Sequence, residues 1–366
     1  MRILFATPYK KQTGGITRWA EYIVNASMET DSCVKLDVLP MNPPTASIEV
    51  KGFCQRVSVG IKTYCAVLQE LKKRLKKESY DLLHIASSAS ISLLKDILMI
   101  RLAKRRGVKT VLHFHFGRIP ELATQRNWEW RLLYKAVRIS DKTIVIDRPS
   151  YDTLIAAGCD NVEFLPNPLS PQVDVLLQKN GKTDRKPRTL LFAGHVVPTK
   201  GVFELVDACS QIPNIELRIL GAVTPEMRQA LMLKADDAKW LHIIGQKPFE
   251  EVMREMCNCD VFVLPTYTEG FPNVILESMA CGCPIITTPV GAIPEMLNID
   301  SNEPCGICVS PQNVGELKNA IENLINDENQ KEEMSQRAYA RVRQMYGLNS
   351  IWQQLQIIWE RLLFVE

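Results

Sequence analysis

Two carboxylates, Glu269 and Glu277, stand with seven residues between them inside the stretch Cys259 to Glu295. Gly270 follows the first and lets backbone come close to a ligand. Pro272 sits where a helix would begin, a position that needs no N–H. The N–H groups of Phe271, Asn273 and Val274 would then point out of a helix N-terminus, where the dipole favours an anion. A carboxylate one turn into that helix does not suit a phosphate. It suits neutral hydroxyls, such as the vicinal pair of a ribose, from which it can accept twice. The loop carboxylate, Glu269, would face the other end of the same ligand. Taken singly, one would be a solvated loop acid and the other a surface helix acid.

The elements that must hold these groups are legible. Val261 to Leu264 is a short apolar run with the β-branched content of a buried strand, ended by Pro265. A helix from about Pro272 to Ala280 stops at the breakers Gly282 and Pro284, and a second buried strand, Ile285 to Thr288, follows. Strand, loop, helix, strand is the unit of a doubly wound parallel sheet, which binds ligands at the carboxyl ends of its strands. The alternation recurs twice. Arg2–Thr7, Val34–Leu39, Asp81–Ile85, Lys109–Phe114, Thr143–Ile146 and Val162–Leu165 read as strands of one sheet. Thr189–Ala193, Glu216–Leu220, Leu241–Ile244, Val261–Leu264, Ile285–Thr288 and Ile307–Val309 read as strands of another. Residues 170–188, polar and rich in breakers, read as a linker. That divides the chain into an N-terminal domain, 1–169, and a C-terminal domain, 189–346. The fold class is α/β, with two Rossmann-like domains. The tail helix carries Ile351, Trp352, Leu355, Ile358 and Trp359 along one face.

Three further places could bear chemistry. The first strand runs into Thr13-Gly14-Gly15, a turn that can face a ligand but is not G-x-G-x-x-G. The strand Lys109–Phe114 delivers His113 and His115 to one face and Phe114 to the other. The turn after Ala193 reads Gly194-His195, then Lys200-Gly201.

The run TEGFPNVILESMACGCPIITTPVGAIPE resembles the donor-site signature of the family 4 retaining glycosyltransferases with the GT-B fold, in which two such domains face across a nucleotide-sugar cleft. The resemblance covers nearly the whole chain. It implies that Glu277 binds the ribose of a nucleoside diphosphate sugar, and that Glu269 with Gly270, Phe271, Pro272, Asn273 and Val274 holds the donor sugar. By the same resemblance Gly14 and Gly15 pack against the diphosphate, and His115 contacts the sugar near the reacting carbon. His113 is the structural one of the pair. Lys200 neutralises the leaving diphosphate beside an Arg position that here holds His195, a departure, since an imidazole is charged over only part of the pH range. Catalytic roles thus fall to His115, Lys200 and Glu269. Pro166-Asn167-Pro168 departs from the family's Pro-Asn-Gly turn. The resembled fold also returns its C-terminal helix, 347–366 here, to the N-terminal domain, which serves the acceptor.

Composition narrows the rest. A net charge of +3, with 46% hydrophobic and 23% charged residues, is that of a soluble globular protein with no nucleic-acid partner implied. No apolar run is long enough to span a membrane, and the N-terminus lacks the pattern of a signal peptide. Eleven cysteines, an odd number in a chain too long to need staples, indicate a reduced, cytoplasmic location. Cys257/Cys259, Cys281/Cys283 and Cys305/Cys308 read as small buried thiols, with metal or redox chemistry the sharper alternative. Basic residues near Leu71–Lys77 and at Lys104–Arg106 read as solvated helix ends, with contact at the inner face of a membrane as their sharper alternative. Asp-x-Asp is absent, so no metal and no cofactor are expected. The expected activity is transfer of a sugar to a hydroxyl of a carbohydrate or lipid-linked acceptor in bacterial polysaccharide or glycolipid synthesis. The rivals are a sugar-nucleotide epimerase of the same architecture and a nonenzymatic sugar-nucleotide-binding subunit.

Overall fold

Apolar runs with few polar interruptions are what strands covered on both faces require, and most of the twelve strands among the described residues are built on such runs. A computed structural model describes residues 1–9, 14–29, 33–42, 53–180 and 185–364, with backbone alone for 53–59, 61, 179 and 180. The chain forms two units, Met1–Pro168 with Leu348–Glu366, and Leu169–Gly347.

In the first unit the strands are β1 (Arg2–Thr7), β2 (Lys35–Pro40), β3 (Leu82–Ser87), β4 (Lys109–Phe114), β5 (Lys142–Val145) and β6 (Val162–Phe164). They pair in parallel in the order β2-β1-β3-β4-β5-β6. Alternation along each strand splits the core. Leu4, Leu83, Leu112 and Phe114 face one layer, while Ile3, Phe5, Leu82 and Val111 face the other. That second layer is closed by the helices Gly15–Glu29 and Leu348–Phe364. The buried positions of the latter are Ile351, Trp352, Leu355, Ile358 and Trp359, the face its 3.6-residue period marks out. Trp359 donates its indole N–H to His84 at 3.1 Å, which satisfies a donor deep in the core.

In the second unit β7 (Lys186–Ala193), β8 (Glu216–Leu220), β9 (Leu241–Gly245), β10 (Cys259–Leu264), β11 (Ile285–Thr287) and β12 (Ile307–Cys308) pair in parallel in the order β12-β11-β10-β7-β8-β9. The order reverses between β7 and β10. The connections that follow these two strands therefore leave toward opposite faces of the sheet, and the crevice at their carboxyl ends is the switch point at which such sheets bind ligands.

Two expectations change. The stretch read as a linker contains a helix, Pro171–Asn180, with Val173 buried and Asp174 paired to Arg343 at 2.7 Å. Pro171 at the helix start and an acid in the first turn are helix-opening signals that the breakers further along outweighed in the reading. The helix of the donor signature begins at Asn273, and Pro272 is its cap with extended backbone. The connection 43–52, Thr13 and residues 181–184 lie outside the described residues.

Candidate functional site

The loop after β7 and the loop after β10 are locked to each other. Residues Pro198–Lys200 make one tight turn that ends at Gly201, whose φ is +70°. A Cβ on Gly201 would lie 2.0 Å from the Pro265 carbonyl oxygen, so only glycine lets the loops approach this closely. The Tyr267 amide donates to the Thr199 carbonyl at 2.9 Å. The ammonium of Lys200 and the carboxylate of Glu269 meet across this junction as an ion pair, each side chain largely shielded at 21% and 16% exposure.

The loop 265–272 is held from its other side as well. A Cβ on Gly291, φ +58°, would sit 2.3 Å from the Glu269 carbonyl oxygen. The Ala292 amide donates to the Gly270 carbonyl at 2.9 Å, and the Thr288 hydroxyl to the Thr266 carbonyl at 2.5 Å. Glu269 and Gly270 thus stand on backbone fixed by two neighbouring loops. Phe271 is buried against Tyr346, with ring centroids 5.9 Å apart. Pro272 accepts the first helical bond, from Ile275 at 3.0 Å, so the amides of Asn273 and Val274 lie in the first turn ahead of it. The side-chain Oδ1 of Asn273 is buried without a hydrogen-bond partner among the described residues. Glu277, one turn further, is buried at 8% exposure, not a surface acid. His195 is exposed on the loop after β7.

Within this unit the structure brings together Lys200, Glu269, Gly270, Phe271, Pro272, Asn273, Val274 and Glu277 at the crevice of the switch point. Gly14, Gly15 and His115 belong to the first unit. The two glycines are exposed beyond the carboxyl end of β1, at that sheet's own reversal, and a Cβ on either would meet nothing within 4 Å. His115 lies one residue past β4, its amide bound to the Ser87 carbonyl at 3.0 Å. Its ring stacks on His113 at 4.1 Å and tilts against Trp19 at 4.3 Å, with Asn167 beside it. Burial pushes its pKa down to about 3, against a raising effect from Asn167. Its Nε2 has no hydrogen-bond partner among the described residues. A neutral imidazole so placed can exchange hydrogen bonds with a hydroxyl, but it is not an acid at neutral pH. His113 and His84 are fully buried, and desolvation holds both well below the ordinary histidine range.

Sequence reasoning missed Trp19 as a support of His115, and Thr199 and Gly291 as the backbone clamps of the Glu269 loop. Trp19 was visible only as one apolar position of a helix. Gly291 stood inside the Gly-x-x-Pro-Glu motif, but nothing local to it shows that its neighbour in space is Glu269.

The model of the glycosyl transferases group 1 matches residues 176–341, and that of Glycosyltransferase Family 4 matches residues 40–173. The chain belongs to this glycosyltransferase family. Similar proteins include a capsular polysaccharide biosynthesis glycosyltransferase, CapM, of Staphylococcus aureus, 29% identical over 50% of this chain and 50% of the relative. Another is the N,N'-diacetylbacillosaminyl-diphospho-undecaprenol alpha-1,3-N-acetylgalactosaminyltransferase of Campylobacter jejuni, 26% identical over 57% of this chain and 54% of the relative. The chain spans about half the length of the curated relatives it matches. Among solved structures, Anabaena HepE in complex with UDP superposes with a TM-score of 0.70 at 19% identity, over 98% of this chain and 99% of that one. The fold of this family 4 glycosyltransferase is GT-B. Among the described residues no helix is long and apolar enough to cross a membrane.

Proposed function

We propose that this family 4 glycosyltransferase is a retaining, metal-independent hexosyltransferase. It would move a sugar from a nucleoside diphosphate sugar to a hydroxyl of a carbohydrate or lipid-linked saccharide, in the synthesis of a bacterial cell-surface polysaccharide or glycolipid. The observation that carries this reading is the Lys200–Glu269 pair at the β7/β10 switch point, beside the amino end of the Asn273–Ala280 helix. That site offers a cation and helix amides for a diphosphate and carboxylates for sugar and ribose hydroxyls.

In the proposed step the bond between the anomeric carbon and the diphosphate oxygen breaks. The acceptor oxygen bonds to the same face of the sugar, and the departing phosphate takes the acceptor's proton. Two charges need stabilising, an oxocarbenium-like sugar and a leaving diphosphate. Lys200 and the helix amides serve the anion by preorganised electrostatics, with His195 adding charge when protonated. Neutral His115 hydrogen-bonds the sugar, and Glu269 holds its hydroxyls while orienting Lys200. The glutamate pair is then not an acid and nucleophile of the glycosidase kind. The donor is first sought among UDP sugars, because the structural neighbour HepE is described with UDP.

Thermal-shift screening of nucleotide sugars tests donor binding, since a ligand raises stability through its affinity for the native state. Turnover with a hydroxyl acceptor in the presence of EDTA is the expected result. Free epimer without acceptor would favour the epimerase, and donor binding without any product the nonenzymatic subunit. Activity that EDTA abolishes and Mg²⁺ or Mn²⁺ restores would overturn metal independence.

A peripheral membrane contact is part of the proposal. Ile91, Leu94 and Leu98 are exposed at 61%, 50% and 45%, on and just before the helix Ser92–Lys104, and Arg101 and Arg105 continue their stripe. Apolar side chains ending in a basic rim suit an anionic lipid surface. Lys104 is paired with Asp141 at 3.1 Å and is the weaker contributor of the expected patch. Sedimentation with anionic vesicles at low salt is expected, and its absence would leave these helix ends simply solvated.

A further inference from the structure

A buried ion pair stands at the carboxyl edge of the first sheet. Lys95 and Asp96 are neighbours on the helix Ser92–Lys104, 6% and 0% exposed. Ser87, the last residue of β3, donates its hydroxyl to Asp96 Oδ2 at 2.6 Å, and its Oγ accepts the Ala89 amide at 3.2 Å. The Lys95 ammonium reaches the other way and donates to the Met41 sulfur at 3.1 Å, just past the end of β2. The Met41 amide donates in turn to the carbonyl of Thr7, the last residue of β1, at 3.0 Å. Because β1 lies between β2 and β3, Lys95 spans the carboxyl end of β1, the edge beyond which Gly14 and Gly15 stand. The Ser87 carbonyl also accepts the His115 amide, so one residue anchors both Asp96 and the backbone of His115.

The pair is incomplete. Charge-assisted hydrogen bonds close at about 2.7–2.9 Å, whereas Asp96 Oδ1 lies 3.4 Å from Lys95 Nζ and has no hydrogen-bond partner among the described residues. Met41 offers Lys95 a thioether, which is a weak acceptor. The half-buried Tyr64, on the helix Phe53–Lys77, offers its ring face with the centroid 5.5 Å away. An ammonium has three donors, and this one makes no hydrogen bond to an oxygen among the described residues. Stability does not account for such a pair, since apolar side chains of like volume serve a core as well. The loop between β3 and the helix is also strained: Ala89 and Ser90 both take left-handed backbone, φ +61° and +60°.

We propose that Lys95 and Tyr64 form a subsite for a neutral sugar ring of the acceptor, with the Lys95 ammonium donating to one of its non-reacting hydroxyls. This rests on the reading of the chain as a transferase to a hydroxyl acceptor. The charge balance selects the ligand. Asp96 beside Lys95 leaves the pair neutral, so a phosphate or carboxylate on the ammonium would meet a second carboxylate in a poorly solvated place. A hydroxyl brings no charge and supplies the lone pairs that the ammonium lacks. The Tyr64 ring gives the apolar face that such a ring packs on, beside one placed polar group. Asp96 touches no ligand in this arrangement. Held by Ser87, it is a positioning residue for Lys95.

The test reads binding on the full chain, by saturation-transfer NMR with the methyl α-glycosides of glucose, galactose, mannose and N-acetylglucosamine as probes. Expected is transfer to at least one of them, with a Kd that rises by about tenfold or more in Lys95→Met. Inorganic phosphate at matched ionic strength should leave that transfer unchanged. Should Lys95→Met not fold, the double variant Lys95→Met/Asp96→Asn, which removes both buried charges, carries the same expectation. An unchanged Kd in the folded variant would make the pair purely structural and overturn the proposal. So would the absence of transfer to every glycoside, or displacement of the glycoside by phosphate, which would mark an anion site. The donor reading fails separately, on the Tm shift given by nucleotide sugars, which Lys95→Met should keep.

Discussion

A hydrogen bond to a charged group is worth about 1.5–3 kcal/mol, so the loss of Glu277 should weaken nucleotide binding by about tenfold to a hundredfold. Glu277→Gln keeps the size of this buried side chain and is the cleaner variant. Calorimetric titration with UDP is the measurement, and an unchanged Kd would remove Glu277 from the site. At Lys200 the expected loss is of a different kind. Removing a group aimed at developing charge costs about 10²–10³ in turnover. Lys200→Ala should therefore lower kcat far more than it weakens donor binding, and Lys200→Arg should recover part of it. A loss confined to KM would assign Lys200 to ground-state binding alone. His195, exposed on the same loop, stands where relatives carry Arg. His195→Arg should accordingly keep turnover, whereas His195→Ala should lower kcat more than it weakens donor binding. Unchanged kcat in His195→Ala would take His195 out of the group that serves the departing phosphate.

The loops depend on glycines for a geometric reason. Gly201 combines φ +70° with a carbonyl oxygen 2.0 Å from where its Cβ would be, so Gly201→Ala must push the loops after β7 and β10 apart. Strain of this kind costs about 1–3 kcal/mol, and the displacement should separate Lys200 from Glu269. The expected result is a lower Tm together with loss of the donor-induced Tm shift. Gly14→Ala, with nothing within 4 Å of the added Cβ, is the contrast and should leave Tm unchanged. The contrast also marks how far the sequence could be read. Strands appeared as apolar runs because both faces of each sheet are covered, and the amino end of the donor helix appeared because Pro272 has few other places to stand. The meeting of Lys200 with Glu269 was legible only through the family resemblance. It depends on β10 pairing with β7 and not with β9, and strand order leaves no local trace. The Pro171–Asn180 helix was hidden for the opposite reason, local breakers outweighing a helix whose buried Val173 is fixed by its surroundings. Strand alternation put His113 and His115 on one face, but it could not bring His84 and Trp359 to them from other elements.

Across the first unit, the three histidines act on stability as a set. His84, His113 and His115 line one layer with Trp19 and Trp359, at ring-centroid distances from 4.1 to 5.9 Å. His84 accepts the Trp359 indole N–H on Nδ1, so a proton there would break a core hydrogen bond. Burial is the leading cause that lowers all three, to about 3 for His115 and well below the ordinary value for the other two. In the unfolded chain each titrates near about 6.5. Below that pH the unfolded state takes up protons that the native state refuses, so stability is full above about 6.5 and falls as pH drops toward about 3. Each histidine contributes a slope of up to about 1.4 kcal/mol per pH unit in that window. Exposed carboxylates held low, such as Glu70, begin to matter only on the acid side of about 4.3, their ordinary value. Asp147, raised to about 6 by burial, works in the opposite sense as pH falls, so in urea unfolding between about pH 7.5 and 5 it is the difference in slope between variants that reports the histidines. Tryptophan fluorescence suits it, because every tryptophan except Trp240 belongs to the first unit. His113→Phe removes one titrating group whose nitrogens have no hydrogen-bond partner among the described residues, and keeps an aromatic ring against Trp19. Its stability should fall less steeply toward pH 5, by about 1.4 kcal/mol per pH unit. Parallel pH curves for His113→Phe and the natural protein would show that His113 carries no proton on unfolding, and the account of the buried histidine layer would fail.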